Sequence, residues 1–328
     1  AAWNYPLLIA ANIVIAGVLS GNAVILKHSS KTPLSGKAFE DAFKSANVPE
    51  NLVQNIICDH QTLADSITAG LFDHISFTGS VTGGKAISNS VSGQFIDLGL
   101  ELGGKDPVYI TEFAELNKAV PNVIDGVFYN AGQSCCGVER IYVHSDKYES
   151  FCQLAVAEMD KLVIGHPEAP ETTMGPLASK SAISFLEKQK MDAIEKGAEV
   201  REWKGELPNS GFYFRPFIAF NVHHKMSLMT EESFGPVVGI MPVDSDEEAI
   251  KLMNDSAYGL TASIWTCDPK QAYAIGAHIQ TGTVFMNCCD ILDPELPWVG
   301  VKNSGRGASL GIEGIRQLTR PKVYHFIC

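Results

Sequence analysis

Several residues in this chain have types and spacing suited to nucleophilic, basic or anion-binding chemistry. Gly132-Gln133-Ser134-Cys135-Cys136-Gly137 sets two adjacent thiols in a loop ahead of an apolar run. A cysteine acts as its thiolate, which a loop near helix N-termini favours; alone, a cysteine is more often a small buried hydrophobe. Glu101-Leu102-Gly103-Gly104-Lys105 ends an apolar strand in a carboxylate beside two glycines. Partial desolvation there would raise its proton affinity toward that of a general base, while the plainer reading is an exposed strand-end acid. In Trp3-Asn4-Tyr5-Pro6 the Asn4 amide could cap the following helix or donate to a developing oxyanion. Phe77-Thr78-Gly79-Ser80-Val81-Thr82-Gly83-Gly84 joins a strand to a helix, and its helix start offers N–H groups to a phosphate. Its Gly79-to-Gly84 spacing matches neither the P-loop nor the G-x-G-x-x-G turn, so by itself it is a glycine-rich turn. Glu231-Glu232-Ser233-Phe234-Gly235-Pro236 alone reads as a solvated turn.

The elements that must position these residues alternate strand and helix. A helix at 7–19, a strand at 23–26, a helix from Thr32-Pro33 to about 46, a strand at 52–58, a short helix at 62–69, a strand at 74–78 and a helix at 82–90 predict a parallel sheet covered by helices. A second α/β unit follows, with strands at 108–111, 140–144, 237–243, 262–265 and 283–287. Its helices are expected at 116–129, 147–162, 179–196, 246–254 and 269–278. Residues 322–327 alternate in part and suit an edge strand that could pair with another subunit.

Of 328 residues, 45% are hydrophobic and 19% charged, which suits a folded chain with one large core or two ordinary ones. The net charge of −12 and the lack of a Lys/Arg cluster give nucleic acid or an anionic membrane little support. The uncharged stretch 5–26 is long enough for a membrane span, but Pro6, Asn12, Gly17 and Ser20-Gly21-Asn22 divide it into a buried helix and a strand. Eight cysteines without CxxC or Cys/His spacing argue against zinc and predict free thiols in a reducing compartment, cytoplasmic or alternatively the mitochondrial matrix; no metal site is expected.

Each motif is modest alone, but their set is specific. Trp-Asn-Tyr-Pro, Gly-Asn-x-Val-x-x-Lys, Phe-Thr-Gly-Ser, Glu-Leu-Gly-Gly-Lys, Gly-Gln-x-Cys, Glu-Glu-Ser-Phe-Gly-Pro-Val and Ser-Gly-Arg-Gly, in this order, resemble the NAD(P)-dependent aldehyde dehydrogenase superfamily. The resemblance covers nearly the whole chain, and Glu101 and Cys135 stand 34 residues apart, similar to the family's spacing. It implies an α/β fold with a Rossmann-type cofactor-binding domain and a second α/β catalytic domain. The implied boundaries are 1–103 for a partial dinucleotide-binding domain, 104–304 for the catalytic domain and 305–328 for a segment with an oligomerisation strand.

The roles carried by the resemblance are these. Cys135 aligns with the nucleophile, Glu101 with the general base and Asn4 with the amide of the oxyanion hole. Lys27 and Ser30 fall at the adenosine ribose, Gly79, Ser80 and Gly84 at the pyrophosphate turn. Glu232 falls at the nicotinamide ribose, Phe234 beside the nicotinamide, and Trp3 and the Leu102 backbone face the cofactor; Asn287 matches a structural asparagine. The implied reaction oxidises an aldehyde to its acid with NAD or NADP, through a Cys135 thiohemiacetal and a thioester hydrolysed by Glu101-activated water. A small-molecule aldehyde is the implied partner, and a homodimer or homotetramer the implied full-length assembly.

Two departures qualify this. Lys27-His28-Ser29-Ser30 lacks the glutamate that the family often carries at position 30, which would repel a 2′-phosphate, so NADP should be tolerated. The resemblance also begins about one-third into the family's length. That predicts an N-terminally truncated chain and leaves an inactive or fragmentary relative as an alternative, beside an acylating (coenzyme A) or semialdehyde-specific enzyme. The segment 290–298, rich in acids and apolar groups, is expected at the mouth of the substrate tunnel.

Overall fold

A computed structural model describes residues 1–327. The chain forms two units, one of residues 1–102, 292–300 and from Ser304 onward, the other of residues 103–291 and 301–303.

In the first unit the uncharged stretch becomes the helix Pro6–Leu19 and the strand Val24–Lys27. Gly21 turns the chain between them with φ +87°, a conformation that glycine adopts without strain. The helix is not buried all round, contrary to the expectation. Ala10, Val14 and Gly17 are buried, while Leu7, Leu8, Ile15 and Leu19 are exposed. A helix buries the stripe that meets its neighbours, whatever residue types lie outside it. No helix among the described residues is long and apolar enough to cross a membrane.

Val24–Lys27 pairs in parallel with Val53–Ile56. His74–Thr78 pairs in parallel with Asp97–Glu101, whose other edge takes Gly305–Arg306 antiparallel. The parallel strands of the first hundred residues thus form separate pairs rather than one continuous sheet. Helices Pro33–Ser45, His60–Thr68 and Val81–Val91 follow the strands. Their starts carry local signals: Pro33 in the first turn, the Asp59 carboxylate accepting from the Thr62 N–H at 2.7 Å, and the Ser80 hydroxyl accepting from the Gly83 N–H at 3.1 Å. The turn at 28–32 is built on the buried His28. Its Nδ1 accepts from the Ser29 N–H at 2.9 Å, which leaves the proton on Nε2, 2.8 Å from the Pro6 carbonyl.

The second unit is built on a seven-stranded sheet. The order is Thr283–Met286, Thr261–Trp265, Asp106–Ile110, Val138–His144, Val237–Val243, Phe217–Phe220, Glu199–Glu202. The pairings are parallel except the last. The interior strands Asp106–Ile110 and Val138–His144 are buried nearly throughout, the pattern of a sheet covered on both faces. The helices Leu116–Phe128, Ser145–Met159, Lys180–Glu195, Asp246–Asn254 and Pro269–Gly276 pack with it into the main core.

Two strands of this sheet carry weak sequence signals. Glu199–Glu202 is polar and largely exposed, as an edge strand can be, and Phe217–Phe220 is a short apolar run after a proline. Residues 322–327 lie in no strand, and Val323, Tyr324, Phe326 and Ile327 are exposed. Alternation supplies a face, but a strand also needs a hydrogen-bonding neighbour, and among the described residues none pairs there.

Candidate active site

The helix Leu116–Phe128 ends in a turn where Asn130, Ala131 and Gly132 take φ of 52°, 55° and 69°. Left-handed backbone costs a non-glycine residue on the order of 1 kcal/mol or more, so the turn needs support. It gets it locally: the Gln133 side-chain amide donates to the Asn130 carbonyl at 3.0 Å, and the Asn130 amide donates to the Gln133 carbonyl at 3.2 Å. The Gln133 Oε1 accepts from the Ala178 N–H at 2.9 Å. Gly132 has no room for a side chain, because a Cβ there would stand 2.1 Å from the Gly235 carbonyl oxygen.

This turn presents the two thiols differently. Cys135 is half-buried and Cys136 buried. The Cys136 thiol donates to Asp290 Oδ1 at 2.8 Å, and the Ser134 hydroxyl donates to the same oxygen at 2.9 Å. Hydrogen bonding to the Cys135 sulfur, burial and the Asp290 carboxylate together hold the Cys136 thiol well above its usual range. The accessible thiol is therefore Cys135, a distinction the adjacent pair does not make in sequence.

Glu232 and Phe234 sit on a second loop of the same unit. The Glu232 Oε1 accepts from the Gly104 N–H at 3.0 Å, and a Cβ on Gly103 would meet Glu232 at 2.3 Å, so Gly103 must be bare. Burial, then the Glu139 charge, push the Glu232 carboxyl up to about 7. This loop is no solvated turn. Lys105 Nζ lies 2.6 Å from Glu139 Oε2 in a buried ion pair and 3.0 Å from the Ser233 hydroxyl. Glu139 accepts from the backbone N–H of Ser233 at 2.8 Å and of Phe234 at 2.9 Å. The pair thereby fixes the backbone on either side of a left-handed Phe234 with φ 50°. Glu139 is not among the residues that the sequence singles out for the site, and Asp290 enters there only as the first residue of the segment 290–298 expected at the tunnel mouth. Glu139-Arg140 inside the apolar strand Val138–His144 is the signal for the first, since buried charges need partners.

The first unit holds the other candidates. Glu101 ends its strand opposite Thr78, whose hydroxyl donates to Glu101 Oε2 at 3.4 Å. Burial pushes the Glu101 carboxyl up, against the smaller opposite effect of the Ser309 and Thr78 hydroxyls. It lines a pocket with His74, Thr78, Arg306 and Ser309, so it is not the exposed strand-end acid of the plainer reading. The glycines of the strand-to-helix turn answer to packing. A Cβ on Gly79 or Gly83 would stand 2.7 Å from the Phe77 ring, and one on Gly84 2.6 Å from the buried Leu102 side chain. Lys31 stacks its ammonium 4.3 Å from the centre of the Trp3 ring, beside exposed Ser30 and half-buried Lys27. Tyr5, not Asn4, holds the N-cap position of the first helix. Trp3, Asn4, Lys27, Ser30, Gly79, Ser80, Gly84, Glu101 and Leu102 thus belong to the first unit, and Cys135, Glu232, Phe234 and Asn287 to the second.

The first α/β unit thus carries a sheltered strand-end carboxyl and the second a half-buried loop thiol. The model of the aldehyde dehydrogenase family matches residues 1–324. A 4,4′-diapolycopene aldehyde oxidase from Methylomonas sp is 36% identical over 97% of this chain and 59% of its own length. The succinate-semialdehyde dehydrogenase [NADP(+)] 1 of Mycobacterium ulcerans is 32% identical over 98% of this chain and 70% of its own. The structure of a Mycobacterium tuberculosis aldehyde dehydrogenase complexed with NAD+ superimposes with a TM-score of 0.92 at 32% identity, covering 97% of this chain and 67% of that one. The chain belongs to the aldehyde dehydrogenase family, and it spans from 59% to 70% of these relatives' lengths.

Proposed function

We propose that the protein oxidises an aldehyde to the carboxylic acid with NAD or NADP, using Cys135 as nucleophile, Glu101 as general base and Asn4 as oxyanion donor. The Cys135 thiolate adds to the aldehyde carbon and forms a thiohemiacetal. The Asn4 amide and the Cys135 N–H donate to its oxygen, where losing one such donor costs about 3 kcal/mol. A bound nicotinamide, which Glu232 and Phe234 would hold, would supply the acceptor for the hydride of this carbon. The thioester left on Cys135 is then hydrolysed: Glu101 takes a proton from water, the water oxygen bonds to the acyl carbon, and the acid departs as the thiol is restored. The observation that carries this reading is the asymmetry of the thiol pair, with Cys135 accessible on a braced turn and the Cys136 proton given to Asp290.

The cofactor-side residues fit a dinucleotide by their donor set. The helix Val81–Val91 opens with backbone N–H groups beside Ser80, Lys27 and Ser30 would meet the adenosine ribose, and Glu232 the nicotinamide ribose with Phe234 beside the ring. Residues 27–32 include two lysines and no carboxylate, which suits a 2′-phosphate. We expect kcat/KM with NADP within about tenfold of that with NAD; a thousandfold preference for NAD, about 4 kcal/mol, would refute this. Relatives named for a long apolar aldehyde and for a short anionic one lie at similar identity, so similarity selects neither substrate. The seven described free cysteines suit a reducing compartment such as the cytoplasm, and assembly into a homo-oligomer belongs to the same reading.

The test is NAD(P)H formation over an aldehyde panel. Cys135→Ala should abolish it, while Cys136→Ala keeps at least a tenth. No turnover by the unaltered chain with any aldehyde, with or without coenzyme A, would favour a fold-keeping relative without activity.

A further inference from the structure

We propose that Asp290 is a positioning residue that makes Cys135 the reactive thiol of the adjacent pair, by tying Ser134 and Cys136 to one carboxylate oxygen. The proposal rests on the reading of Cys135 as the nucleophile, and extends it to a residue on a distant part of the sequence. The hydroxyl and the thiol meet Asp290 Oδ1 at 2.9 and 2.8 Å, so the residue on each side of Cys135 hangs from the same atom.

The carboxylate is held independently of the thiol loop. Asn287, at φ 57°, accepts from the Thr266 N–H at 3.0 Å and donates to the Thr266 carbonyl at 2.9 Å. The Ser263 hydroxyl donates to the Cys288 carbonyl at 2.7 Å. The Cys289 sulfur packs over Gly126, where a Cβ would stand 2.7 Å from it. Asp290 itself adopts φ 49°. The segment 287–290 is therefore fastened to the sheet and to the helix Leu116–Phe128 before it reaches the cysteines.

The chemical consequence follows from donor count. The Cys136 thiol meets Asp290 Oδ1 at 2.8 Å and has the Cys135 sulfur as a second acceptor, with one proton for the two. Of the other titratable groups facing Asp290, Asp125 opposes negative charge there and Cys289 is held as a neutral thiol; neither supplies a cation. Cys136 stays a thiol, and the braced turn leaves Cys135 as the sulfur able to react.

The test is alkylation by iodoacetamide of the full chain, with modification at each cysteine read by peptide mass mapping and folding checked by near-ultraviolet circular dichroism. In the unaltered protein Cys135 should react at least tenfold faster than Cys136. Asp290→Ala should lower that ratio at least tenfold, and Asp290→Asn, which keeps a carbonyl acceptor, should hold it within threefold. An unchanged ratio in folded Asp290→Ala, or an equal loss in both variants, would overturn the proposal. If Asp290→Ala does not fold, Cys136→Ser, which keeps a donor, should leave the Cys135 rate within twofold, and Cys136→Ala should slow it at least threefold. Equal Cys135 rates in those two variants would overturn the proposal as well. Alkylation needs no turnover, so a chain with the expected ratios and no NAD(P)H formation would count against the dehydrogenase reading alone.

Discussion

Glu139 and Glu101 are both sheltered glutamates on strands, and their surroundings give them opposite properties. Glu139 is fully engaged: an ammonium at 2.6 Å and two loop N–H groups take its lone pairs. Among the described residues it is the Ser309 and Thr78 hydroxyls that bear on Glu101, and burial raises its proton affinity. A paired buried carboxylate fixes geometry. One without a cation stays ready to take a proton, which a general base must do.

Substitution can separate the two roles. Glu139→Gln leaves the Lys105 ammonium buried without its counter-charge, and we expect a stability loss of about 3–5 kcal/mol by chemical denaturation. Glu101→Gln should do the reverse: no loss of thermal midpoint at pH 7, but at least about a hundredfold lower steady-state turnover, near 3 kcal/mol. A large stability loss in Glu101→Gln would erase the contrast. Glu232 sharpens it as an intermediate case, lying beside the ion pair but held up to about 7. A carboxyl raised in the folded state contributes stability that is present below its ordinary value of 4.5 and lost as pH rises toward 7. Glu232→Gln should therefore remove part of the stability decline between pH 5 and 7, by no more than about 3 kcal/mol, seen as flatter denaturant midpoints across that range.

Much of the fold was legible because helix starts and apolar runs are local. Thr32-Pro33 marks a helix that forms there, and the expected helix at 246–254 and strand at 237–243 are observed with the same limits. What escaped was non-local. Glu199–Glu202 forms because Phe217–Phe220 offers it an edge, not because its own residues alternate. The site divides in the same way. Cys135, Glu101 and Glu232 stand in short motifs, but the partner of Cys136 lies 154 residues away and that of Lys105 34 residues away. Ala131 gives no sequence sign of its left-handed backbone, since alanine has no preference for it.

Gly132 and Gly235 approach so closely that not even a methyl group fits between them. One of these glycines leads into the thiol turn, the other closes the Glu232 loop. The thiol turn and the acidic loop therefore share one steric limit: any side chain added at Gly132 would have to displace the backbone of Gly235.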